Sequence, residues 1–291
     1  MDTKELQAMI NLLEDPNQDV FRMVYNSLLS SGPEIIPELE KAWENSQDEL
    51  SQDRLEDIIQ KIHMNVVEKE VISWIKSDNA EILRGAYLIA RLQYPDLSFS
   101  DINEPVEKIK NDVWLELNDN LTALEKVKIL NHIIFNVYKY SRNSANPVNP
   151  QNSFLNQVIE TKKGNSYSIS IIYLAVAQKL KLPVLGVDLP KNMILAYMDL
   201  AGSPVVPGHK DSNVLFYINP FNKGAVLGKR EIEYFLRQYQ IEPSESFFKP
   251  CSNRVIIERM VGALIDSYRS LGYQDKIRQM DRILTIFQSK R

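Results

Sequence analysis

The sequence predicts an α+β protein. A buried helix and a small antiparallel sheet fill its middle, with all-helical segments before and after. Three observations predict this. Residues 168–180, "SISIIYLAVAQKL", are apolar nearly all round, the pattern of a helix with no solvent face. Beyond Pro183, "VLGVDL" (184–189), "MILAYMDL" (193–200) and "VLFYINP" (214–220) are short β-branched or aromatic runs separated by Gly, Pro and Asn, as antiparallel strands are. The opening and closing segments instead place apolar residues at three-four spacing.

The opening segment repeats itself. "NLLEDPNQDVFRMVYNSL" (11–28) and "SWIKSDNAEILRGAYLIA" (73–90) share one plan: an apolar helix end, an acidic-polar turn, and a second helix. Val20, Val24 and Leu28 mark the apolar face of one copy; Ile82, Ala86 and Ile89 mark the other. "KAWENSQDELSQDRLEDIIQKI" (41–62) supplies a middle unit. "SGPEIIPELEKAW" fits its start, with Gly32 ending a helix and Pro33 or Pro37 in a first turn. A period of roughly 30 residues built from helix pairs signals an α-solenoid, and this one resembles the bacterial HEAT-like class. Such a segment offers a surface to a protein partner; with so few units it reads first as a buttress for its own chain.

Pro95 and Pro105 in "LQYPDLSFSDINEPVEKI" (92–109) break the pattern and read as a boundary. A helix follows over 123–140, then an Asn/Pro/Ser loop over 141–152 and a short helix over 154–163 with Asn152 or Ser153 as its N-cap. After the strands, "KREIEYFLRQY" (229–239) is a helix. The closing stretch 254–287 is two amphipathic helices joined at "SLGYQDK", a TPR-like hairpin that reads as a cap on its neighbour. The expected division is 1–92, 93–245 and 246–291.

Composition removes several function classes. The 291 residues are 25% charged and 44% hydrophobic, with net charge -4. No Lys/Arg cluster marks a nucleic-acid face, and no apolar run reaches the roughly 18–20 residues of a membrane span. The N-terminus "MDTKELQAMINLLEDP" lacks a basic region and reads as a helix, not a signal peptide, so cytoplasm is the expected compartment. Cys251, the one cysteine, allows no intrachain disulfide and no Cys-based metal cage. No His/Asp/Glu spacing suggests a metal, and no Gly-rich phosphate loop appears; no cofactor is expected.

"LNHIIF" (130–135), "NPQNSFLNQVIETKKGN" (149–165), "SIIYLAVAQKLKLPVLGVDLP" (170–190) and "YINPFNKG" (217–224) follow one another in order. Together they resemble the SirB-type branch of the transglutaminase-like superfamily, over about residues 92–239. The resemblance implies a papain-like core, in which a nucleophilic Cys opens the central helix and the sheet supplies a His and an Asp. A helix N-terminus lowers a nucleophile's pKa, and strands hold its partners rigidly. In this chain Ser166 stands where the Cys belongs. Asn192, in Pro190-Lys191-Asn192-Met193, replaces the His. Asn219, in Asn219-Pro220-Phe221, replaces the Asp.

A Ser hydroxyl needs a base within hydrogen-bond reach, and an Asn amide cannot be one. The Ser/Asn/Asn set therefore predicts a degenerate, non-catalytic site that acts by binding a protein or a small ligand. The alternative is a hydrolase in which His132 or His209 activates Ser166. His63 reads as a helix residue, and His132 as a structural tie for the Asn-rich loop. Asn131, Asn149, Gln151 and Asn152 cluster around that loop, where they fix turns or form an amide pocket. His132, Asn131, Asn152, Asn165 and Tyr167 are the candidate pocket residues. A third reading makes the helical repeats an interaction scaffold.

Overall fold

The computed structural model describes residues 2–15, 17–78, 80–199 and 213–289. His209 and most of its loop lie outside the described residues. The chain divides into two compact units, Met1–Ser73 and Trp74–Arg291.

The first unit is helical: α1 (Thr3–Asn11), α2 (Gln18–Ser30), α3 (Ile36–Asn45) and the start of α4 (Glu49–Lys76). Leu13, Leu28, Leu39, Leu55 and Ile58 pack a common core. The expected punctuation is present. Asn17 caps α2 by accepting the Asp19 amide at 2.9 Å, Gly32 turns the chain at φ 91°, and Pro37 sits in the first turn of α3.

The second unit holds the sheet. Its helices are α5 (Ile82–Arg91), α6 (Phe99–Glu116), α7 (Ala123–Asn131), α8 (Leu155–Thr161), α9 (Ser166–Lys179), α10 (Lys229–Gln238), α11 (Asn253–Leu271) and α12 (Gln274–Gln288). The 92–109 stretch, read from sequence as a break, instead contains the start of α6. Ser98 and Asp101 form a capping box at its N-terminus, and Pro105 lies inside it. A helix-interior proline costs about 3 kcal/mol. Ile102, Val106, Ile109 and Val113, all at 0% exposure, form a buried stripe worth about 1.5–3 kcal/mol per side chain. The stripe outweighs the proline.

Beyond α7 the helix continues as a π-helical turn over His132–Val137, and Tyr140 ends up buried. Strands β1 (Ser141–Arg142) and β2 (Lys163–Gly164) pair in parallel, tying the Asn-rich loop to the residues just ahead of α9. The main sheet is an antiparallel meander of β3 (Val184–Leu189), β4 (Asn192–Met198), β5 (Val214–Asn219) and β6 (Ala225–Leu227). Pro190 and Lys191 make the β3–β4 turn, Lys191 at φ 66°. The sheet separates two environments. Val187, Leu189, Ile194, Ala196 and Tyr217 pack with Ile232 and Leu236 of α10. Gly186 lies against Ile256 of α11, where an added Cβ would come within 2.3 Å of the Ile256 side chain. That close approach explains the glycine within the strand.

Helix α9 is buried along nearly its whole length and touches α5, α6, α8, α11, β3 and β4. A helix with no solvent face needs an apolar residue in every direction, which is why its sequence shows no amphipathic period. Helices α11 and α12 pack on each other through a turn at Gly272, which takes φ 78° as a helix-ending glycine does. No described helix is long and apolar enough to cross a membrane.

Truncating a fully buried α9 residue leaves a cavity that its surrounded neighbours cannot collapse. Ile172→Ala is expected to lower unfolding free energy by about 3 kcal/mol, whereas Leu185→Ala, at a site 40% exposed, changes it by about 0.5 kcal/mol or less. Urea denaturation curves measure both.

Candidate functional site

The first turn of α9 is where the sequence places a reactive group. A helix start leaves its first backbone N–H groups without intrahelical partners, and these groups stabilise an anion. Here one of the chain's own side chains takes two of them. Asn165 Oδ1 accepts the amides of Tyr167 and Ser168, each at 3.0 Å, and Ser168 Oγ accepts the Asn165 amide at 3.1 Å. The cap is itself held in place. Asn165 Nδ2 donates to Ser153 Oγ at 2.7 Å, and Ser168 Oγ donates to the Asn152 carbonyl at 2.6 Å. The Asn165 amide reaches the same carbonyl at 3.1 Å. Gly164 leaves room for this: an added Cβ would come within 2.4 Å of Ser168 Oγ.

Asn152 is the other anchor. It is 3% exposed, accepts from Asn143 Nδ2 at 2.8 Å, and donates to the carbonyls of Asn146 and Pro147 at 2.8 and 3.3 Å. Neither Asn152 nor Ser153 caps α8. Its N-cap is Phe154, without a side-chain bond, because Asn152 is already committed to the loop. Asn149 caps the 3₁₀ turn Pro150–Asn152 by accepting the Gln151 amide at 3.0 Å.

The three triad positions lie on neighbouring elements. Ser166 is the first residue of α9 and is 8% exposed. Asn192 opens β4, against which α9 packs; Ser170 Oγ donates to the Met193 carbonyl at 3.4 Å. Asn219 ends β5, and the following turn Pro220–Asn222 also packs on α9. Extending the β4–β5 register by one residue sets Asn219 across from Ile194. Strand alternation then puts Asn219 and Asn192 on one face of the sheet, in line with Ile194 and Ala196. Among the described residues, no hydrogen bond joins Ser166, Asn192 and Asn219. Asn192 Oδ1 is buried without a partner. Asn219 Oδ1 accepts the Asn222 amide at 3.3 Å, closing its own turn.

The remaining pocket candidates scatter. His132 is exposed, and its described contact is Asn136 Nδ2 with Nδ1, at 3.4 Å; it does not tie down the Asn-rich loop. Asn131 Nδ2 donates to the Gly224 carbonyl at 2.8 Å, and Gly224 sits at φ 72° with its Cα against the Asn131 amide. Two motifs of the resemblance, "LNHIIF" and "YINPFNKG", are thus one packed contact. Tyr167 turns toward Asp188, Arg259 and Cys251; burial first, then the Asp188 charge, pushes its phenol up to about 12. Asp188 is bound by Arg259, Nε at 2.8 Å and Nη2 at 2.7 Å. Cys251 bridges the sheet through its amide, which donates to the Gly186 carbonyl at 2.8 Å. Burial, reinforced by Asp188, pushes its thiol up to about 12. No group of three or more metal-ligating side chains occurs among the described residues.

The comparisons with known proteins agree with this architecture. The transglutaminase-like superfamily model matches residues 100–262. The chain belongs to that superfamily. Its relatives place it on the SirB-type branch. It is 26% identical over 222 residues to a UPF0162 protein of Xylella fastidiosa, covering 74% of this chain and 75% of the relative. It is 22% identical over 209 residues to Protein SirB1 of Salmonella typhimurium, covering 72% of each. It is 27% identical over 155 residues to F-box only protein 21 of Mus musculus, covering 53% of this chain and 23% of that protein. No solved structure matches it.

Asn165→Ala removes the acceptor for two half-buried amides and the donor to Ser153. It is expected to cost about 1–2 kcal/mol of stability, measured by chemical denaturation. With its thiol at about 12, Cys251 holds a thiolate fraction on the order of 10⁻⁴ at pH 8, against about a quarter for a free thiol. Ellman's reagent should therefore react with the native chain at least 100-fold more slowly than with the chain unfolded in guanidinium.

Proposed function

We propose that this chain is a non-catalytic member of the SirB-type branch and acts by binding a protein or a small ligand. The observation that carries the reading is the state of the α9 N-terminus. The amides of Tyr167 and Ser168 are taken by Asn165, and no hydrogen bond links Ser166 to Asn192 or Asn219. Among the described residues no base is hydrogen-bonded to Ser166, and a serine without one is a weak nucleophile. An oxyanion formed at Ser166 would have to compete with Asn165 for the Tyr167 and Ser168 amides. The exposed imidazole of His132, in contact with Asn136, gives little support to an unorthodox hydrolase.

The helical segments supply the surfaces in this reading. Residues 1–92 and the α11–α12 hairpin are taken as HEAT-like and TPR-like repeats that offer a surface to a protein partner in the cytoplasm. With a net charge of -4, nucleic acid is an unfavoured partner.

Activity assays test the proposal. The purified chain should neither hydrolyse nor crosslink peptide amides above background, and a fluorophosphonate probe should leave Ser166 unlabelled. Amide hydrolysis abolished by Ser166→Ala, or probe attached to Ser166, would overturn it.

A further inference from the structure

A concavity lies between α6, the segment after the π-helical turn, and the end of α8. It has a volume of about 530 Å³ and is lined by Lys108, Tyr138, Tyr140, Ile159, Lys162 and residues of the α6 turn before Lys108. That volume falls in the range of small-molecule sites. Lys162 is fixed, not waving in solvent. It ends α8 in a left-handed conformation at φ 58°, its ammonium donates to the Ile159 carbonyl and to Tyr140 Oη, and it lies 4.8 Å from the centre of the Tyr140 ring. Tyr140 itself is 1% exposed and forms a rigid floor. Tyr138 is held by its hydroxyl, which donates to Asp112 at 2.7 Å.

Two lysines share the cleft. Lys108 comes close enough to Lys162 for its charge, after burial, to lower the Lys162 ammonium's affinity for its proton. Among the described residues, neither lysine is ion-paired with a carboxylate: Lys162 has a carbonyl and a phenol as partners. The neighbouring lysines behave differently. Lys110 lies 3.9 Å from Glu107, and Lys179 is bound to the same Glu107 at 2.7 Å. Glu104 lines the same cleft, exposed and without an ion pair to either lysine, and the nearby Asp112 carboxylate is engaged by the Tyr138 hydroxyl. Two lysines that line one cleft, neither of them ion-paired, suit an anion, which would relieve their mutual repulsion.

We propose that this cleft, lined by both Lys108 and Lys162 with Tyr140 as its floor, binds a small organic anion, its carboxylate or phosphate between the two ammoniums and its body against Tyr138 and Ile159. The site is separate from the α9 N-terminus and does not depend on the reading of Ser166.

Titration calorimetry of the full chain with inorganic phosphate and with benzoate tests this, the two probes separating a phosphate site from a carboxylate site. At least one should bind saturably with one site per chain. Lys108→Met and Lys162→Met should each weaken that binding at least tenfold, while Lys110→Met, on the same helix but paired with Glu107, changes it less than twofold. Lys108 is exposed, so its variant keeps the test decisive even if Lys162→Met fails to fold. No saturable binding of either probe at millimolar concentration would overturn the proposal. So would binding that survives Lys108→Met, or binding that Lys110→Met weakens equally.

Discussion

The second unit depends on closing the N-terminus of a buried helix. Helix α9 is packed on every side, so the polar groups at its start cannot rely on bulk water. An unpaired buried amide costs about 1–3 kcal/mol, and two of them are satisfied by one side-chain oxygen, Asn165 Oδ1. Holding that oxygen in place recruits Ser153, Ser168 and the Asn152 carbonyl. These in turn order the Asn-rich loop through Asn143 and Asn146. The β1–β2 pairing and the glycine at position 164 serve the same junction. A thiolate at this helix start would call on those amides; here they are already in use.

Seen this way, the motifs that carry the family likeness are packing motifs first. Asn131 and Gly224 are far apart in sequence yet make one contact, and the glycine is required twice: by φ 72° and by the Asn131 amide against its Cα. Asn219, the counterpart of an acid, closes a turn. On the proposed reading the superfamily's architecture is kept, and Ser166, Asn192 and Asn219 stand at the positions the resemblance sets against its triad.

Much of this was legible in the sequence. The all-round apolarity of 168–180 identified the central helix, and the three short β-branched runs identified β3, β4 and β5 within a residue or two. The family likeness read from ordered motifs was correct. What the sequence did not yield has physical reasons. Pro105 read as a break because local propensity says so, but four buried side chains on α6 outweigh it. Residue type points to Asn152 or Ser153 as the α8 cap; the Asn152 side chain is committed to the Asn-rich loop and the Ser153 hydroxyl to the α9 cap instead, a tertiary demand that no local pattern shows. His132 drew attention as a rare ionisable residue on an apolar helix, and it lies exposed on a π-helical turn. The lysine cleft left no signal, because Lys108, Tyr140 and Lys162 are brought together only by the packing of α6 and α8.

The central claim is that the α9 N-terminus is closed by the chain itself. Amide hydrogen exchange at Tyr167 and Ser168, followed by NMR, measures it most directly. The account predicts that both amides exchange as slowly as the α9 interior and that both lose protection together in Asn165→Ala. Exchange at the rate of an exposed loop in the unmodified chain would contradict it, because the helix start would then be open to solvent and free to hold an anion.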